Sequence, residues 1–167
     1  TGVQTCALPI SLAKQCHTYG LAFWVPLNAT GAVNPARDGA YAWRSSFSST
    51  MAFGLFGHGD AAQAQPTGPD FPFARAQALL TQLRELQPFF LGDFHPLTAY
   101  SKSNDTWMAW QFDRPDLNAG LIQAFRRPQS AVESTLVRLR GLRADARSPL
   151  QDLDAPTAPP REILGQD

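Results

Sequence analysis

Three histidines, two cysteines, a cluster of glycines and fourteen carboxylates are the groups with which this 167-residue chain could do chemistry. A metal ligand or a general base needs partners. His17 and His95 have no second ligand at helical or loop spacing, so a lone structural histidine is the simpler reading of both. Cys6 and Cys16 are too few for a disulfide framework and lie at no zinc-site spacing, which makes Cys16 a small buried hydrophobe. Gly54, Gly57 and Gly59 resemble a phosphate-binding loop only in composition, because the helix start and the lysine such a loop needs do not follow. Among the carboxylates, Asp38, Asp60 and Asp70 sit in loops where turn and capping roles suffice, and Asp93, Asp105, Asp113, Asp116, Asp152 and Asp154 are scattered through the second half. No two of them read as a catalytic dyad. Aromatic rings remain: Trp24, Trp107, Trp110 and Phe125 have the apolar faces on which a neutral ring can stack. For Trp24 a place in the core is the competing role. Fourteen basic and fourteen acidic side chains cancel, and the longest basic run is Arg126-Arg127, so nothing points to nucleic acid or an anionic membrane as a partner. Neutral solutes such as sugars stay open.

The elements that would position these groups fall into two styles. Ser11 to Tyr19 reads as the end of a helix with Leu12, Cys16 and Tyr19 on one face and Gly20 as its terminator. LAFWVPL, residues 21–27, is a continuous apolar run of strand length, as expected of a strand covered on both faces. Residues 28–39 read as a loop, and Ala40 to Ser49 as a short helix on which Tyr41, Arg44 and Phe47 share a side. As a helix residue, Arg44 is expected in a solvated or structural ion pair. MAFGLF, residues 51–56, is a second short strand, and residues 61–69 a turn-rich connection. Asp70 can then cap a helix with Pro72 in its first turn, on which Ala76, Leu79, Leu80, Leu83, Leu86 and Phe90 recur at three- and four-residue spacing.

After Leu91-Gly92 the period changes from helical to alternating. Residues 107–128, WMAWQFDRPDLNAGLIQAFRRP, form two alternating runs around a Pro, Asp, Asn and Gly turn, the pattern of an antiparallel hairpin. Alternation puts Trp107 and Trp110 on opposite faces, so one at most is outward. Thr135 to Leu142 predicts a third strand, and APTAPP at 155–160 a loop leading to strands beyond the chain. The expectation is an α/β module over 11–92 and an antiparallel β module over 93–167. Every apolar run is far shorter than a membrane span.

Six segments resemble glycoside hydrolase family 36, the bacterial α-galactosidases, in the family's order. They are QCHTYGLAFWVPLNATG, YAWRSSFSSTMAFGLFG, LRELQPFFLGDFHPLTAYS, the hairpin itself, LRGLRADAR and DLDAPT, spread over residues 15–167. Residues 1–10, TGVQTCALPI, resemble nothing in the family and read as a non-native leader, and the chain as a fragment. Two places depart from the family pattern: Ala29 stands where Gly is usual, and RSPL at 147–150 replaces an aromatic, β-branched strand start.

The resemblance implies the last units of a (β/α)8 TIM barrel followed by a β-sandwich-like domain, both incomplete, with no cofactor and no metal. It implies a retaining hydrolase acting on an α-galactoside or oligosaccharide through two carboxylates ~5 Å apart. The parent enzyme could be homo-oligomeric, and a bacterial cytoplasm or periplasm are equally open. The family's acid/base position falls just before Gln15, and residues 1–14 contain no Asp or Glu, so no catalytic residue is assigned to this chain. Barrels build their sites past the carboxyl ends of strands, which selects Asn28 and Thr30 after one strand and His58 after the other, with Trp24 as the stacking residue. Other outcomes are a carbohydrate-binding or purely structural β module using Trp107, Trp110 or Phe125, and a sister activity such as α-N-acetylgalactosaminidase or raffinose synthase.

Overall fold

The first helix, α1, runs Ile10–Leu21 and buries Leu12, Gln15, Cys16, Thr18 and Tyr19. The structure is a computed structural model that describes residues 10–55 and 71–165; residues 1–9 of the segment expected as a leader, and Asp60, Asp70 and His58, lie outside it. Residues up to Thr135 make one compact unit and Leu136–Asp167 a second.

The apolar run at 21–27 is not a strand. Its backbone amides are used in turns, with Trp24 N and Val25 N both donating to Leu21 O at 2.9 and 3.0 Å. Pro26 supplies no donor, and Leu27 adopts a positive φ of 52°, so the run cannot join a ladder. The strand forms one step later, in the segment expected to be a loop: β1, Ala29–Val33, pairs in parallel with β2, Thr50–Leu55, across the helix α2, Ala40–Ser46. Its residues, ATGAV, are small for a reason. A Cβ on Gly31 would lie 2.3 Å from Ser46 O and 2.6 Å from the Phe53 ring, so the strand can approach α2 only without a side chain there. Gly31→Ala is therefore expected to destabilise the unit by about 1–3 kcal/mol. An unchanged urea midpoint would contradict this close approach.

Helix α3, Phe73–Leu86, buries Ala76, Leu79, Leu83 and Leu86, with Leu80 half-buried, and a 3-10 turn through Leu91 then buries Phe90. Pro72 itself stands at the cap position expected for Asp70, and it makes no side-chain cap hydrogen bond. The change to antiparallel architecture follows at once, still inside the first unit. Strands β3, Asp93–Pro96, β4, Trp107–Arg114, and β5, Ala119–Arg126, form one sheet in that order. The β4–β5 turn is a short 3-10 segment closed by Asn118 in the left-handed region, which accounts for the Asn-Ala-Gly sequence there. β4 is buried on both faces from Met108 to Phe112, and β5 alternates, with Leu121, Gln123 and Phe125 inside. Helix α1 packs on this sheet: Tyr19 meets Trp110 at 6.4 Å and Phe94 at 5.9 Å, both edge-on.

The expected strand at 135–142 does not form. Leu136 is 98% exposed, and the segment spans the junction between the two units, so its alternation has no sheet to face. Unit two is a small antiparallel pair, β6, Arg147–Leu150, and β7, Arg161–Leu164. The Pro-rich loop thus returns to a strand within the chain. Pro149 is tolerated because both strands of a pair are edges, and Arg147 and Glu162 bridge the pair at 2.8 Å in solvent.

Candidate functional site

The carboxyl end of β1 is the first place to look for a site. Beyond Val33 the chain turns through Asn34 to Asp38, and the Asp38 carboxylate is used inside its own loop. Its Oδ2 accepts from Asn34 N at 2.8 Å and its Oδ1 from Arg37 Nε at 3.1 Å. Arg75 donates to Asp38 O at 3.1 Å while its guanidinium lies 4.2 Å over the Trp43 ring. Lys14 reaches across from α1 to donate to Ala32 O at 2.7 Å and Ser46 Oγ at 2.6 Å. Burial pushes its ammonium down from the usual lysine value, with the Asp38 charge acting in the opposite direction. This end is a tied, polar corner in which Lys14, Asp38 and Arg75 each hold backbone. Among the described residues it contains no pair of free carboxylates.

Of the residues selected from the sequence, Trp24, Asn28 and the Thr30 backbone lie among the described residues. Asn28 and Thr30 follow no strand, because 21–27 forms none: Asn28 stands just before β1 and Thr30 lies inside it, opposite Ala52. The Asn28 amide donates to Val25 O at 2.9 Å and Ser49 Oγ at 3.4 Å, and its Oδ1 is buried without a partner among the described residues. His58 lies outside the described residues, and so does the Thr30 side chain. Trp24 sits on the turn after α1 and is 82% exposed, which corrects the alternative of a core residue. Arg44 is half-buried in the last turn of α2, where a cation suits the carbonyl end of the helix.

Trp24 borders a cleft of about 260 Å³. Phe23 and Asp93 share its rim, Phe94 lines a wall, and the buried rings of Phe90 and Phe112 lie below. Phe23 and Phe94 meet at 5.0 Å with planes 76° apart, and Phe94 leans on Phe112 at 5.5 Å. This chain of edge contacts fixes the walls while leaving the indole free. Across the β3–β4 ladder Asp93 faces Asp113, two like charges in register.

The hairpin aromatics are interior. Trp110 is fully buried, its indole N–H donating to Gln123 Oε1 at 2.9 Å, and Phe125 is buried against Tyr41. Half-buried Trp107 donates to Val132 O at 2.9 Å. Trp110 and Phe125, being buried, offer no stacking platform. Among the described residues no group of three or more His, Cys, Asp or Glu could hold a metal ion, and no helix is long and apolar enough to cross a membrane.

Sequence reading missed Arg127. It is 1% exposed, and all its partners are neutral: Gln15 Oε1 at 3.2 Å, Ser101 O at 2.7 Å, Ser103 O at 2.6 Å and Cys16 Sγ at 3.6 Å. The signal was present in the alternation of β5, because residues 121, 123 and 125 point inward and 127 continues their row. Cys16 is buried as expected, though as part of this polar knot, its thiol also reaching Ser101 O at 3.6 Å. Nearby Tyr19 donates to Thr98 O at 2.6 Å, and burial pushes its hydroxyl up from the usual tyrosine value.

No family model, no curated protein and no solved structure matches this chain.

Proposed function

We propose that this chain is the closing part of the catalytic barrel, with the adjoining carboxy-terminal β domain, of a family 36 glycoside hydrolase. The parent activity is hydrolysis of terminal α-galactosyl residues by double displacement, without metal or organic cofactor. The observation that carries the reading is the order of elements: a parallel β1–α2–β2 unit, then α3, then directly an antiparallel sheet. A barrel's last units handing over to a β domain would give that order. Four of the six family-like segments overlap those elements, and LRGLRADAR and DLDAPT fall in the second unit. Two carboxylates flanking the scissile bond are required, and the one described carboxylate at the parallel strand ends, Asp38, is held by its own loop.

The chain alone is accordingly expected to be inactive. Incubated with a nitrophenyl α-galactoside, the purified protein should release no nitrophenol above a blank. Release that survives removal of host enzymes and disappears on substituting an Asp of this chain would sink the proposal. The contiguous coding sequence gives the positive arm: it should place an Asp shortly before Gln15 and another on an earlier strand.

A further inference from the structure

We propose that the cleft beside α1 binds a small organic cation carrying a quaternary ammonium group. The proposal stands apart from the α-galactosidase reading and rests on the lining alone. Three aromatic rings with accessible surface, those of Phe23, Trp24 and Phe94, line a space of about 260 Å³ backed by the buried Phe90 and Phe112. The only charged residue among the lining is Asp93. Its cross-strand neighbour Asp113 adds a second negative charge, and among the described residues neither carboxylate has a basic partner. The guanidinium next along the strand, Arg114, is already committed: it pairs with Asp116 at 2.6 Å and donates to Pro88 O.

An uncompensated negative potential over ring faces attracts a cation, and the electron-rich faces add to that attraction. The chemistry of the walls selects the kind of cation. A metal ion needs a cage of oxygen ligands, and Asp93 is the one carboxylate among the lining residues. A neutral sugar could stack on Trp24, but it would leave both carboxylates without a counter-charge. A methylated ammonium group matches both features, since it is charged and its surface is apolar.

The test is calorimetric titration of the 167-residue chain with tetramethylammonium and with choline at constant ionic strength. Saturable binding on the order of millimolar is expected, and the neutral isostere of choline, 3,3-dimethylbutanol, should bind about tenfold more weakly. Trp24→Ala should weaken choline about tenfold, and Asp93→Asn several-fold with a loss of salt dependence. Both side chains are exposed, so circular dichroism should show the fold retained. If Trp24→Ala fails to fold, the comparison with the isostere and Asp93→Asn still decide. The proposal is overturned if neither cation binds, if the isostere binds equally well, if both variants bind like the parent, or if galactose binds and choline does not. A chain that binds choline yet proves to have its own glycosidase activity would refute the previous section and leave this one standing.

Discussion

Replacing Arg127 with alanine should destabilise the first unit by about 4 kcal/mol, and with methionine by about 2 kcal/mol. The difference between the two is the argument. A buried guanidinium carries a desolvation penalty that methionine would relieve, so charge removal by itself could stabilise. Methionine, however, leaves the Ser101 and Ser103 carbonyls and Gln15 Oε1 without the donors they now have. An abandoned buried acceptor costs about 1–3 kcal/mol, which outweighs the relief. Alanine adds the cavity left by the stem. Lysine should not rescue, because a single ammonium cannot span acceptors that a planar fork reaches together. Urea denaturation followed by circular dichroism measures all three. A methionine variant as stable as the parent would mean that these hydrogen bonds contribute nothing net.

Trp110→Ala should cost about 3–5 kcal/mol, the range for emptying a large aromatic from a closed core. The ring is fully buried, tilts against Phe125 at 5.3 Å and meets Tyr19 edge-on, so it joins the sheet to α1. Its loss also strands Gln123 Oε1, which is buried in the sheet. Trp107→Ala serves as the internal control at about 1 kcal/mol, since that ring is half-buried and makes one hydrogen bond. Equal midpoints for the two variants would mean that Trp110 does not join the sheet to α1.

The hairpin and α3 could be read from sequence because their patterns were long enough to decide. Sixteen strand residues around a turn of Pro, Asp and Asn leave one pairing, and α3 repeats its apolar residues over four turns. The first parallel strand could not be read, for the opposite reason. In ATGAV three of the five residues are Ala or Gly, not the branched and aromatic residues by which strands announce themselves, and Gly31 records contact with α2, a tertiary fact. The neighbouring LAFWVPL had the right composition in the wrong place, and the site residues inherited that displacement. Asn28 and Thr30 follow from a strand at 21–27 that does not form, whereas Trp24 follows from its ring alone and lies at a cleft. Arg127 shows a third limit, since charge suggests the surface until the inward row of β5 is followed one residue past its end.

That arginine also fixes an order of events. Gln15 and Arg127 are 112 residues apart in sequence, and Tyr19 meets Thr98 over a separation of 79. Contacts of such range close large loops before any return is gained, which slows folding relative to local pairing. The hairpin, being local, can form early. Helix α1 can meet β1 and α2 early, through Lys14, Gln15 and Thr18, but the strands and the arginine that cover its other side are made much later. Until then Cys16 and Tyr19 are exposed to any other chain that offers an apolar surface.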